Sequence, residues 1–319
     1  MKTKMRHFLL VILLFVLTSC QTNRIQLPEI EHPIVLSHQE EDLLTFIDAD
    51  NGNVFTNAIS YGITDMVQTS ETDIIAASIN NKFLLRINLR DGSVKPFLNV
   101  NQGITSLFYK DPFLYITDAF KNQVHVIDMS NRKIKASIDV GMYPNEMTAD
   151  DDRLFVINSE SNSISVIDLD KLNVVLEFPT SSRKPDGLVV VNDMLWVGGH
   201  GGDGVINNSI HAYDPKTGEE LSEIIVGVMP VDFFVDRTYS FLYTVCHGED
   251  QMYKIDLRSN EVVDQIFVGE NPNYLRGDDN NLYITSVDDH LFSIVDQATF
   301  TLVNQFEVAE GPYAIVKVN

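Results

Sequence analysis

Short runs of apolar residues that end in Asp or Asn recur along the chain at nearly equal intervals. The run ISVID at residues 164–168 alternates apolar and polar positions, which is typical of a β-strand buried on one face. Consecutive terminal residues of these runs are separated by 40, 40, 40, 46, 42 and 40 residues. The seven terminal residues are Asp48, Asn88, Asp128, Asp168, Asp214, Asp256 and Asp296.

Each interval contains four apolar segments separated by turns. In the fourth interval these segments lie at residues 154–158, 164–168, 174–178 and 188–191. A period of about 40 to 45 residues with several short strands per unit is the signature of a β-propeller blade. The pattern therefore predicts an all-β chain, a seven-bladed β-propeller with four antiparallel strands in each blade.

The two ends of the repeat predict how the ring of blades closes. The segment IVLS at residues 34–37 corresponds to the second strand of a blade, and AIVKV at residues 314–318 corresponds to a first strand. We expect the C-terminus to supply the innermost strand of a blade whose other three strands are N-terminal, because such closure protects sheet edges. Residues 32–319 are thus predicted to form a single domain.

Several blades begin with a turn that contains glycine and proline. These turns are VGMYP at residues 140–144, VGVMP at 226–230 and VGENP at 268–272, and strands such as LYITD at 114–118 follow the same scheme. The segments resemble the YVTN-type β-propeller family from about residue 34 to the C-terminus. The resemblance implies the propeller fold. It also makes a lactonase-like activity an alternative, since lactonases occur among seven-bladed propellers of similar repeat type.

The first twenty residues have the pattern of an export signal. A basic start precedes the apolar run FLLVILLFVL at residues 8–17, which is too short to span a membrane and suits a signal peptide. The following LTSC at residues 17–20 resembles a bacterial lipobox, which implies cleavage before Cys20 and a covalent lipid on that residue. We expect a signal peptide at 1–19, a lipidated tether at 20–31 and an extracytoplasmic protein anchored to a bacterial membrane. Ordinary secretion with an unmodified Cys20 is the alternative.

The charge of the chain limits its partners. It has 23 basic and 45 acidic residues, with a formal net charge of −22. Such a surface argues against a nucleic-acid partner and suits cationic ligands, although acids at strand ends also serve as turn formers. We expect a monomer. The second cysteine, Cys246, follows an apolar run and is expected to be buried and unreactive.

Two histidines occupy equivalent positions in neighbouring blades. His200 and His247 each lie five residues after the leucine of a second strand, and His200 lies in the glycine-rich segment GGHGGDG at residues 198–204. By analogy with other propellers, the loop after the second strand and the turn into a blade lie on one face, where ligands bind. The predicted site contains His200, His247, Asp186 and Asp203, with Tyr143, Asn145, Asn273 and Tyr313 on its rim. The alternative is a flexible glycine loop with two solvated histidines.

Histidines and carboxylates in such a site could bind a metal or move a proton. His200 and His247 are the candidates for metal ligands, but we assign neither a metal nor any cofactor besides the lipid on Cys20. The sequence has no Cys-x-x-Cys-His motif, no Gly-x-Ser-x-Gly motif and no phosphate-binding loop. It therefore favours a binding module for a small molecule or a protein. A lactonase-like hydrolase that uses the His/Asp site is the alternative, and a structural surface antigen is a third possibility.

Overall fold

The computed structural model describes residues 24–39 and 41–318, which form seven four-stranded antiparallel sheets. The predicted signal peptide, the segment predicted to be a lipobox and Cys20 lie outside the described residues. Within them, no helix is long and apolar enough to cross a membrane. The prediction of an all-β, seven-bladed propeller is confirmed.

We number the blades by the order of their second strands. Blades 1 to 4 contain β1 (Ile34–His38), β2 (Leu43–Asp48) and β3 (Asn53–Ala58); β4 (Asp65–Ser70), β5 (Asp73–Ala77), β6 (Phe83–Asn88) and β7 (Val94–Asn99); β8 (Ile104–Lys110), β9 (Phe113–Asp118), β10 (Gln123–Asp128) and β11 (Lys133–Asp139); β12 (Pro144–Ala149), β13 (Arg153–Asn158), β14 (Ser163–Asp168) and β15 (Asn173–Pro179).

Blades 5 to 7 complete the ring. They contain β16 (Leu188–Val191), β17 (Met194–Val197), the small hairpin β18 (Gly201–Gly202) and β19 (Val205–Ile206), β20 (Ser209–Tyr213) and β21 (Glu220–Ile225); β22 (Pro230–Val235), β23 (Phe241–Cys246), β24 (Gln251–Asp256) and β25 (Glu261–Phe267); β26 (Pro272–Gly277), β27 (Asn281–Ser286), β28 (Leu291–Asp296) and β29 (Thr301–Glu307). The last strand, β30 (Pro312–Lys317), belongs to blade 1.

Blade 1 is built from both ends of the propeller. Its strand order is β3-β2-β1-β30, and β30 pairs antiparallel with β1 so that Ile34 faces Lys317 and Leu36 faces Ile315. Strand β30 also lies beside β26 and β4, the innermost strands of blades 7 and 2. The predicted closure is therefore confirmed.

The second and third strands of each blade carry the core. Strands β9 and β13 are buried along almost their whole length, because each blade is covered on both faces by its neighbours. Large side chains such as Trp196, Tyr243 and Phe292 fill the spaces between blades. The outermost strands, such as β3 and β29, are largely exposed and the innermost strand β12 is mostly half-buried, so burial is greatest in the centre of the blade.

The repeated Asp and Asn residues form hairpin turns between the third and fourth strands. The Asp168 carboxylate accepts hydrogen bonds from the backbone N–H of Asp170 at 3.1 Å and of Lys171 at 2.8 Å. The same pattern occurs in the other blades, where the side-chain oxygen accepts from the N–H two or three residues ahead. Their prediction as turn formers is confirmed.

The segment before β1 lies against the propeller. The Ile25 side chain is 6% exposed, and its N–H donates to the Gly92 carbonyl oxygen at 2.9 Å. The Gln26 N–H donates to the Asn57 side-chain oxygen at 2.7 Å. Within the segment predicted as a lipidated tether, 20–31, the burial of Ile25 and these hydrogen bonds therefore hold residues 25 and 26 against the propeller. The prediction of a buried Cys246 is confirmed.

Candidate functional site

The candidate site lies at the end of the central channel where the innermost strands begin. These first strands, β4, β8, β12, β16, β22, β26 and β30, each contact the first strand of the next blade and so line the channel. Four residues of the predicted site surround a cavity of about 280 Å³ at this mouth. They are Tyr143, Asn145, Asp186 and Tyr313.

The backbone explains why the two histidines occupy equivalent places. The His200 N–H donates to the Lys184 carbonyl oxygen at 3.1 Å, and the His247 N–H donates to the Met229 carbonyl oxygen at 3.1 Å. Lys184 and Met229 each precede the proline that opens the blade. Ser159 makes the same bond to Tyr143 in blade 4. The repeated scaffold thus places a loop residue of each blade over the mouth, and blades 5 and 6 carry histidine there.

The structure brings His200, His247 and Asp186 together in a hydrogen-bonded chain. His200 Nε2 lies 2.9 Å from Asp186 Oδ2, and His200 Nδ1 lies 3.2 Å from His247 Nε2. The other Asp186 oxygen accepts from the Asn145 amide at 3.0 Å. Three of the predicted site residues and one rim residue therefore form one connected network across blades 4, 5 and 6.

The hydrogen bonds are compatible with one arrangement of neutral tautomers in this chain. In that arrangement the Asp186 carboxylate accepts from His200 Nε2–H, and His200 Nδ1 accepts from His247 Nε2–H, which also lies 3.1 Å from Met229 Sδ. His247 Nδ1 then carries a lone pair, and it is buried without a partner in hydrogen-bonding geometry. Burial, and then the proximity of His200, lower the pKa of His247, while the nearby Asn273 side chain opposes this shift.

Of the two other predicted site residues, Asp203 lies apart from this chain, whereas Asn273 lies near His247 and opposes the lowering of its pKa. The Asp203 side chain is 73% exposed at the tip of the β18–β19 hairpin and forms an ion pair with Arg183. It borders a separate groove of about 420 Å³, so it does not join the histidines. The Asn273 amide donates to the Asn271 carbonyl and side-chain oxygens at 3.1 and 2.6 Å.

Below the mouth lie two acidic residues that the sequence analysis did not identify. Asp65 accepts from the backbone N–H of Leu107 in the next blade at 2.7 Å, and from the Tyr274 hydroxyl at 2.5 Å. Asp232 similarly accepts from the Leu275 N–H of its next blade at 2.8 Å, and from Arg276 at 2.9 Å. Both carboxylates therefore join one blade to the following blade.

Glu146 occupies the same position of its innermost strand but makes none of these bonds. Glu146 and Asp232 each stand two residues after the proline that opens the strand, and that repetition was the available sequence signal, whereas Asp65 is the first residue of β4. Among the described residues, no hydrogen-bond or ion-pair partner of the Glu146 carboxyl is found. Burial raises its pKa well above the ordinary value, and the carboxylates of Asp186, Asp232 and Asp65 raise it further, while Arg276 lowers it.

The described residues contain no group of three or more His, Cys, Asp or Glu side chains placed to hold a metal ion. In the network, Asp186 already accepts from His200 and Asn145, and the two imidazoles bond to each other. The arrangement is suited to orienting side chains and to moving a proton along the chain from His247 to Asp186.

No protein-family model matches the sequence, and no curated protein matches it significantly. Solved structures do resemble the fold. A functionally unknown protein from Desulfotomaculum acetoxidans DSM 771 has a TM-score of 0.73 at 13% identity, with 89% of this chain and 98% of that chain covered.

Two further structures show the same similarity of fold. Apo AztD from Citrobacter koseri has a TM-score of 0.62 at 13% identity, with 90% of this chain and 98% of that chain covered. The dihydro-heme d1 dehydrogenase NirN in complex with DHE has a TM-score of 0.67 at 13% identity, with 93% and 77% covered. At such identities the likeness concerns the fold alone, and the chain is a seven-bladed β-propeller with structural neighbours of this kind.

Proposed function

We propose that the protein is a lipid-anchored, extracytoplasmic binding module of the YVTN type that captures a small ligand at the mouth of its channel. The observation that supports this most directly is the cavity of about 280 Å³ bordered by Tyr143, Asn145, Asp186 and Tyr313. Its volume is near the lower end of ligand pockets, which begin at about 300 Å³. If the ligand were a partner protein, it would cover the rim of this cavity and would not enter it.

The lining is held in place before any ligand arrives. Asp186 is fixed by His200 and Asn145, and the Tyr274 ring packs edge-on against Tyr313 with centroids 5.2 Å apart. A preformed site loses little conformational entropy on binding, so a small ligand can be held with useful affinity.

A thermal-shift screen tests the binding role. Residues 21–319 would be melted with lactones, corrinoids, amines and divalent metals, beside the His200→Ala/His247→Ala double variant. A ligand at one hundred times its Kd adds about 2.7 kcal/mol of stability. We expect a shift that the double variant reduces and that His32→Ala, an exposed histidine before β1, leaves unchanged. No shift with any compound contradicts a small-ligand site and favours a protein partner that contacts Tyr143 or Tyr313.

The hydrogen-bonded chain from Asp186 through His200 to His247 supports a second candidate, a lactonase-like hydrolase. Such a chain can orient an imidazole and take up a proton during attack of water on an ester. If this reading holds, lactone turnover by the purified protein falls at least about a hundredfold in His200→Ala, the usual contribution of general-base catalysis. Absence of lactone turnover by the unchanged protein rejects it.

The lipid anchor is tested separately in a bacterial host. We expect the unchanged protein to incorporate radioactive palmitate and to sediment with membranes, since Cys20 is the proposed acceptor. Cys20→Ser should lose both properties, whereas Cys246→Ser should keep them. Equal labelling of both variants contradicts lipidation at Cys20.

A further inference from the structure

The cavity at the mouth presents acidic side chains without basic ones. Asp65, Glu146 and Asp186 line it, and among the described lining residues there is no lysine or arginine. The nearest guanidinium, that of Arg276, is bonded to Asp232 and lies 4.1 Å from the centre of the Tyr274 ring. Among the described residues in and next to the cavity, the Arg276 guanidinium is therefore one cation beside four carboxyl groups, those of Asp65, Glu146, Asp186 and Asp232.

The same cavity contains hydrogen-bond acceptors that lack donors. Asn145 donates its amide to Asp186, which fixes the orientation of the side chain and leaves its Oδ1 buried without a partner. The Glu146 carboxyl has no hydrogen bond within the described structure, whereas Asp65 and Asp232 at the equivalent positions are fully engaged. A buried acceptor without a donor, such as Asn145 Oδ1, is costly, and a ligand rich in donors would satisfy it together with the half-buried Glu146 carboxyl.

Aromatic rings complete the lining. Tyr143, Tyr274 and Tyr313 border the cavity, and Tyr274 and Tyr313 contact each other edge to face. Burial, together with the neighbouring carboxylates, raises the pKa of Tyr313, so its ring stays neutral. The faces of neutral tyrosine rings attract organic cations.

We propose that this cavity binds a small organic ammonium ion, with Glu146 and Asn145 Oδ1 as the acceptors of its N–H groups and the tyrosine rings beside its carbon atoms. The inference rests on the proposed binding function and names the ligand class of the same site. An ammonium group carries three donors and no acceptor, which matches the unpaired acceptors. A bare metal ion fits less well, because no three ligating side chains converge among the described residues and the cavity is far larger than an ion.

Binding of this cation is coupled to a proton. Glu146 faces Asp186, Asp232, Asp65 and Arg276, and burial together with the three carboxylates raises its pKa in the free protein, against the opposing effect of Arg276. An ammonium ion favours the carboxylate and lowers that pKa, so a protonated Glu146 releases its proton when the ion binds. Affinity therefore rises as the pH rises through the titration of Glu146, while the amine itself stays protonated.

Calorimetric titration tests the proposal. Residues 21–319 would be titrated with ethanolamine and putrescine, and with the uncharged isosteres ethylene glycol and 1,4-butanediol, at pH 6 and pH 8. We expect the amines alone to bind, more tightly at pH 8, with proton release seen as a dependence of the heat on the buffer. Glu146→Gln should weaken amine binding roughly tenfold or more and abolish proton release. Glu261→Gln, the same change on the exposed strand β25, should change neither.

The outcomes separate the ligand class from the binding function. Equal binding of the diols, or amine binding unaffected by Glu146→Gln, overturns the ammonium site. So does Ca²⁺ or Zn²⁺ binding that depends on Glu146 and excludes the amines. If a compound from the thermal-shift screen binds and no amine does, the ligand class is wrong and the binding function stands. If nothing binds, both are wrong.

Discussion

Glu146 differs from its structural equivalents, which are aspartates, in a side chain one methylene longer and in what surrounds its carboxyl group. Asp65 and Asp232 meet the N–H groups of Leu107 and Leu275 in the following blades. After Glu146 the following blade has the short strand β16, preceded by Gly187 in a left-handed conformation with φ of 69°, and no N–H group bonds to the carboxyl. A residue position that elsewhere serves stability is therefore free for a ligand.

The Glu146→Gln variant should change how stability depends on pH. The folded-state pKa of Glu146 is raised, so the folded chain binds this proton more tightly than the unfolded chain does. That contribution is complete below the unfolded pKa and is lost as the pH rises through the folded pKa. We expect the variant to be more stable than the unchanged protein at pH 8, with the advantage disappearing by pH 4. Urea unfolding of both proteins between pH 4 and pH 8 measures the difference in their free energies of unfolding. The same difference at every pH would contradict the raised pKa of Glu146.

Removal of a carboxylate that joins two blades should be costly. Asp65→Ala leaves the Leu107 N–H and the Tyr274 hydroxyl without an acceptor, at about 1–3 kcal/mol for each buried group. We expect a loss of about 2–4 kcal/mol in the free energy of unfolding by urea. Asp128→Ala removes a solvent-facing turn acceptor and should cost less than about 1 kcal/mol. Equal losses in the two variants would show that the bonds between blades stabilise the protein no more than a turn hydrogen bond does.

At the scale of the element, the sequence predicts the strands because the same pattern of apolar and polar residues recurs in all seven blades. The turn residues and the equivalence of His200 and His247 follow from the same repeat. The side-chain contacts at the channel mouth cannot be derived from the repeat. Asp203 was expected beside the histidines, but residues 201–206 pair as a hairpin and hold Asp203 at its tip. Glu146 was missed because an acid in an innermost strand looks the same in sequence whether it joins blades or stands free.

The loop that carries His200 depends on close packing between blades 5 and 6. A Cβ atom on Gly198 would lie 2.3 Å from the Pro230 carbonyl oxygen, whereas a Cβ on Gly204 meets nothing within 4 Å. Gly198→Ala should therefore destabilise the protein by about 1–3 kcal/mol through overpacking and weaken ligand binding. Gly204→Ala carries only the strain of its positive φ, about 1–2 kcal/mol, and should leave binding unchanged. Thermal melting measures the stability of the two variants, and calorimetry measures their ligand binding. Loss of binding in both variants would contradict the specific role of close packing at Gly198.

At the scale of the whole molecule, the ring closes through hydrogen bonds between the two ends of the chain. Deletion of residues 315–319 removes the second half of β30, including the buried Ile315 and Val316. Each such side chain contributes about 1.5–3 kcal/mol when buried, so we expect a loss of about 3–6 kcal/mol and a lower melting temperature for the entire domain. Val303→Ala, on the exposed strand β29, should change stability by less than about 0.5 kcal/mol. Unchanged melting of the truncated chain would contradict this closure.

Both described ends of the chain lie at the face opposite the channel mouth. Ile34 begins β1 beside Lys317, where β30 finishes, and Ile25 is bonded to Gly92 in a turn on that same face. Only three residues lie between Cys20 and Arg24, so the four Cα–Cα steps reach at most about 14 Å. A lipid on Cys20 would thus hold the rear of the propeller toward the bilayer. The mouth would open to the surrounding medium, where a solute can enter without first passing between protein and membrane.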